Sequence, residues 1–133
     1  MNQSIGKVSL LVRDYDEAIE FFCTKLKFQI VSDTNLGEGQ RFLSVSPPCN
    51  TLNKIGADLV LSKANEQQMQ YIGKQAGNGV LLFLSSDDFW RDYRNMQAAG
   101  VRFLEEPREE IYATVVVFED LYGNKWDLLQ AKF

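Results

Sequence analysis

The sequence predicts an α+β fold built from two βαβββ modules. Three observations carry that expectation. Short alternating strands precede two amphipathic helices, three further strand patterns follow each helix, and the apolar stripe of the second helix repeats that of the first at a shift of 74 residues.

The elements can be taken in order. Residues 7–12, KVSLLV, alternate like a strand, with Val8, Leu10 and Val12 on one face and Lys7, Ser9 and Leu11 on the other. Asp14 followed by Glu17 resembles a capping box with Asp in the capping role. Tyr15, Ile19, Phe22 and Leu26 then form the apolar stripe of a helix. Strand patterns return at 28–31, 41–46 and 58–62. Residues 63–79 are polar, end in Gly77-Asn78-Gly79, and read as a linker with a short helix around 66–72. The second half repeats the order. Residues 80–86 are an apolar strand, Asp87-Asp88 open a helix striped by Phe89, Tyr93, Met96 and Gly100, and strands follow near 101–104, 114–118 and 125–129. The expected organisation is one domain over 1–133, with modules at 5–62 and 80–130 joined by the linker at 63–79.

Composition narrows the partners. A chain of 133 residues suffices for a real core. The net charge of −4 argues against nucleic acid, which needs a basic face, and mildly favours neutral or cationic small molecules. No apolar run approaches the roughly 18 residues of a membrane span, and no secretory leader is evident, so the expected location is the cytoplasm and no membrane partner is expected. Cys23 lies in a helical pattern and Cys49 in a loop after Pro47-Pro48, without metal-type spacing. The chain has no histidine, which removes the commonest general base and the commonest transition-metal ligand.

With this order in place, the wording of the strands becomes informative. "VRDYDEAIEFF…KLKF" and "GVRFLEEP…VVVFEDLYGNKWDLLQ" resemble the first strand and helix and the closing strands of the vicinal oxygen chelate superfamily. That superfamily is the glyoxalase, bleomycin-resistance and extradiol-dioxygenase group. The resemblance runs from about Ile5 to Gln130. It implies a curved sheet per module, the two forming a half-barrel with a pocket between the modules, within one chain or across a homodimer.

Metal-dependent members of the superfamily hold their ion at four inward positions, usually His and Glu in each module. Carried over, these fall on Lys7, on Asp58, on Val80 or Leu81, and on Asp127. Two positions stay acidic and none offers an imidazole. An ammonium has no free lone pair and repels a cation, so no metal and no other cofactor is expected. A hard divalent cation using Asp58, Asp127 and water is the alternative.

The resemblance therefore implies a ligand-binding set of Lys7, Ser9, Asp58, Tyr112 and Asp127. Lys7 is expected to pair with Asp127, Asp58 or both, because an unpaired buried carboxylate is costly. Asp58 follows a loop and is also readable as solvated. On 41–46, either Arg41, Leu43 and Val45 or Phe42, Ser44 and Ser46 face the pocket. Trp126 and Leu128 oppose Asp127 and are expected beneath the helices. The acidic run 105–110 reads as a solvated loop, with Tyr112 after it at the pocket mouth.

The expected function is a metal-free binder of a small molecule. The alternative is a lyase or isomerase of the same superfamily. It would be metal-free, with Lys7 and Asp127 as acid and base, or would use a weak divalent site at Asp58 and Asp127.

Overall fold

The computed structural model describes residues 2–48 and 55–133; Cys49 lies outside the described residues. The chain divides into two compact units, Met1–Ile72 and Gly73–Phe133.

In the first unit β1 (Lys7–Val12) leads into a helix, α1 (Tyr15–Ile19), which continues as a π-helical turn (Glu20–Lys25). β2 (Gln29–Gly37), β3 (Gln40–Ser46) and β4 (Asp58–Lys63) complete a sheet of order β1-β4-β3-β2. β1 runs parallel to β4 and the other neighbours are antiparallel. Leu10, Val12, Leu43, Val45, Leu59 and Leu61 are buried, with Ala18, Phe21, Phe22 and Phe28 completing the core.

The π-helical turn is where the first helix departs from its expected stripe. The Leu26 amide reaches back five residues to the Phe21 carbonyl. This wide turn rotates the face, so Phe21 is buried beside Phe22 while Ile19 is only half-buried. Asp14 caps the helix as expected, its carboxylate accepting the Glu17 amide at 2.9 Å. At the other end Lys27 takes a left-handed conformation, φ 63°, that an L side chain resists.

The second unit follows the same plan. β5 (Val80–Ser85) precedes α2 (Phe89–Ala98), and β6 (Arg102–Phe103), β7 (Arg108–Glu109), β8 (Ala113–Glu119) and β9 (Lys125–Ala131) follow. The sheet order is β5-β9-β8-β6, with β7 pairing β8, and β5 and β9 are parallel. Asp88 caps α2 by accepting the Arg91 amide. Gly100, φ 85°, closes it: its amide bonds Gln97 and that of Val101 bonds Met96, a Schellman turn. Phe89, Tyr93 and Met96 are buried as their spacing predicts. Trp126 and Leu128 are buried too, Trp126 stacked 5.6 Å from Phe118.

Three expectations need correction. The run 105–110 is not all loop, since Arg108 and Glu109 pair with Val115 and Thr114 as β7. β2 extends to Gly37, well past residue 31. The linker holds one 3-10 turn, Met69–Tyr71, rather than a longer helix. No described helix is long and apolar enough to cross a membrane.

Candidate functional site

Each sheet has one face beneath its helix and one face turned away from it. Strand alternation decides which side chains lie on the open face.

In the first unit, Leu10 and Val12 go under the helix, which leaves Lys7, Ser9 and Leu11 on the open face. On β3 Leu43 and Val45 share the core, so Phe42, Ser44 and Ser46 are the open-face set. Arg41, on the helix side, lies over the Tyr15 ring and binds Asp33 and Asp16. That guanidinium holds the Asp33 carboxyl below its ordinary range.

Lys7 and Asp58 are register partners across the parallel strands. The ammonium lies 3.2 Å from the Asp58 carboxylate and 5.9 Å from the centroid of the Phe42 ring. The Asp58 side chain is 22% exposed and has the ammonium as its partner, so it forms an ion pair at a partly exposed position. Ser9 sits one rung along, opposite Val60. The Ser32 and Ser44 hydroxyls share a hydrogen bond of 2.6 Å, and the buried Ser46 hydroxyl meets no partner among the described residues.

The second unit presents a different surface. Asp127 lies between Phe83 on β5 and Val117 on β8. Its Oδ1 is buried and has no hydrogen-bond partner among the described residues. Burial raises its pKa, nearby Arg108 opposes the shift and Glu105 reinforces it. Arg108 is held by Glu105 at 2.9 Å and Glu110 at 2.8 Å, and Glu105 also accepts the Val117 amide. Tyr112 is 58% exposed where the chain enters β8, its carbonyl accepting the Lys132 amide.

Asp58 and Asp127 do not occupy matching rungs. Lys7, opposite Asp58, lies seven residues before the cap Asp14, whereas Phe83, opposite Asp127, lies five before the cap Asp88. A β-bulge at Leu81 accompanies the offset.

Sequence reasoning missed Asp120. It is buried and accepts from the Tyr122 and Asn124 amides, the Asn124 side chain and the Trp126 indole. Desolvation still raises its pKa, with those donors opposing. This carboxylate locks the turn that aims β9, and thus Asp127. The Asp-x-x-Gly-Asn spacing was the available signal. A separate shallow depression of about 380 Å³ opens at the β2–β3 hairpin, lined by Asp33, Asn35, Glu38 and Arg41 among others. It includes none of the expected site residues.

Two sheets built from repeated βαβββ units, each with a carboxylate on its open face, define a glyoxalase-type fold. The sequence matches the Glyoxalase/Bleomycin resistance protein/Dioxygenase superfamily over residues 4–128, and the chain belongs to that superfamily. It is 52% identical over 132 residues to an uncharacterized protein of Shewanella frigidimarina (strain NCIMB 400), covering 98% of this chain and 95% of that one. Among solved structures it resembles UcmS2, with TM-score 0.81 and 27% identity over 97% of this chain and 98% of that one. It also shares the fold of TnmS3, an antibiotic binding protein from Streptomyces sp. CB03234, with TM-score 0.78 and 24% identity over 98% of each chain.

The metal positions implied by the superfamily do not fit an ion here. Lys7 places an ammonium directly on Asp58, and Val80 and Leu81 have no donor atom. Among the described residues no three His, Cys, Asp or Glu side chains come together as ligands.

Proposed function

We propose that this chain is a metal-free binding protein for a small organic molecule. The observation that carries the reading is the Lys7–Asp58 ion pair. Two positions that would serve a cation neutralise each other instead, which leaves a shaped organic surface rather than a Lewis-acid centre. That surface combines the Phe42 ring and the paired charges, with the Ser32–Ser44 hydrogen bond beneath it. Apolar walls with a few placed polar groups suit organic ligands. The fold shared with an antibiotic binding protein supports the same reading. Lys7, Ser9 and Asp58 are the ligand-facing set of the first unit, and Asp127 and Tyr112 that of the second. The homodimer implied by the superfamily belongs to this reading; a monomer in sedimentation at micromolar concentration would remove it.

A thermal-shift screen of organic compounds tests the proposal, run with a chelator and with added divalent ions. Stabilisation by an organic compound, unchanged by chelation, is expected. Stabilisation by divalent ions alone would overturn it.

One observation favours the enzyme reading. Asp127, with its raised pKa and unpartnered oxygen, has the character of a general base or acid in a superfamily lyase or isomerase. Lys7 is less suited as its partner, because its ammonium is already engaged by Asp58 at 3.2 Å.

A further inference from the structure

Asp127 is a carboxylate that meets no side-chain cation within ion-pair distance among the described residues. Arg108, which influences it, is held by Glu105 and Glu110, and Lys125, two residues along the strand, bonds the Asn78 carbonyl at 3.0 Å. The neighbours of Asp127 across the strands are Phe83 and Val117, and its open-face neighbours along β9 are Lys125 and Leu129. One oxygen is buried without a partner among the described residues. An ionised carboxylate only accepts hydrogen bonds, so whatever completes this site must donate.

Phe83 supplies the second feature. It is the direct register partner of Asp127, on the same sheet face, and its ring is 66% exposed. Adjacent strands lie about 4.8 Å apart, so one small ligand reaches both side chains. An exposed ring beside an unpaired negative charge suits a cation more than a neutral donor, because the ring face attracts positive charge. The charges that act on Asp127 from nearby, Arg108 first and Glu105 second, oppose each other and are themselves ion-paired.

We propose that Asp127 and Phe83 form a subsite for the ammonium group of an organic amine, with the half-exposed Asp127 carboxylate accepting N–H and the Phe83 ring covering the adjacent carbons. This rests on the small-molecule-binding reading and gives the ligand a chemical class.

The test is titration of the full chain with phenethylammonium and, separately, with neutral 2-phenylethanol, followed by ¹H–¹⁵N spectra. Saturable shifts at Phe83, Val117 and Asp127 are expected, with the amine binding at least tenfold more tightly than the alcohol. Asp127→Asn should weaken amine binding tenfold or more, and Phe83→Ala, an exposed position, threefold or more. No response at these residues at millimolar amine overturns the subsite, as does equal binding by a folded Asp127→Asn variant. Tight binding of neutral or anionic compounds elsewhere on the chain would overturn the amine assignment and leave the binding-protein reading standing. Amine binding at Asp127 in a chain that also carries stoichiometric metal would support the subsite and overturn the metal-free reading.

Discussion

Asp58 and Asp127 each lie on the strand that closes a βαβββ unit, on the face away from the helix, and they meet opposite surroundings. Asp58 has an ammonium at 3.2 Å on the neighbouring strand. Asp127 has an exposed phenylalanine there and a buried oxygen with no partner among the described residues. The first unit satisfies its carboxylate internally. The second holds one whose charge remains available. One chain plan thus gives a neutralised face and an acceptor face, and the difference is set by which residue the register brings beside the carboxylate, Lys7 or Phe83. Asp120 is a third case, a carboxylate buried more deeply than either and given four donors.

Removing the satisfied carboxylate should have the largest effect. Asp120→Ala strands the Trp126 indole and two backbone amides in a buried turn, and should cost about 3 kcal/mol in denaturant unfolding. A loss below about 1 kcal/mol would mean that the turn holds itself.

Asp127→Asn should act in the other direction. Burial raises the folded pKa of Asp127, so its charged form is disfavoured in the native state. The native state then binds more protons than the unfolded chain between the unfolded and folded pKa, and stability from this group falls as pH rises through that window. Asp127→Asn should therefore stabilise the chain at pH 7 by at most about 1 kcal/mol, after allowance for solvent screening of a half-exposed group. The gain should vanish below the ordinary carboxylate range. Melting curves at pH 7 and pH 3 check this, and destabilisation at pH 7 would show that the charge has a partner.

A helix end gives the next contrast. The second unit closes α2 with Gly100, and the first closes its helix with Lys27 in the same left-handed region. Lys27→Gly should raise stability by about 0.5–1 kcal/mol, read as a higher midpoint with unchanged m-value. The smallest effect belongs to Lys7→Ala. Its side chain is 45% exposed, so the variant should lose about 0.5 kcal/mol in denaturant unfolding. A double-mutant cycle with Asp58→Ala that shows no coupling would break the pairing.

Much of this plan was legible in the sequence because both helices carry an aspartate cap and a periodic stripe. The π-helical turn was not. It inserts one residue between Asp14 and Lys27 relative to Asp88 and Gly100, and no residue type marks it. β2 was under-read because it is an edge strand, exposed along nearly all of its length and polar over residues 32–35, so it lacks the alternation that reveals half-buried strands. β7 was hidden for a related reason: two charged residues on an exposed ladder look like loop. At the site, Lys7 and Asp58 were placed by the resemblance, and their pairing follows from simple register. The Asp127 environment was not legible, because the bulge at Leu81 decides that Phe83, rather than Val80 or Leu81, stands beside it.

The most direct test of the central claim is the divalent-metal content of the purified, undenatured protein by elemental mass spectrometry. A Lys7–Asp58 pair in place of a donor set predicts far less than one ion per chain. One ion per chain, retained through dialysis and lost in Asp58→Ala or Asp127→Ala, would contradict it.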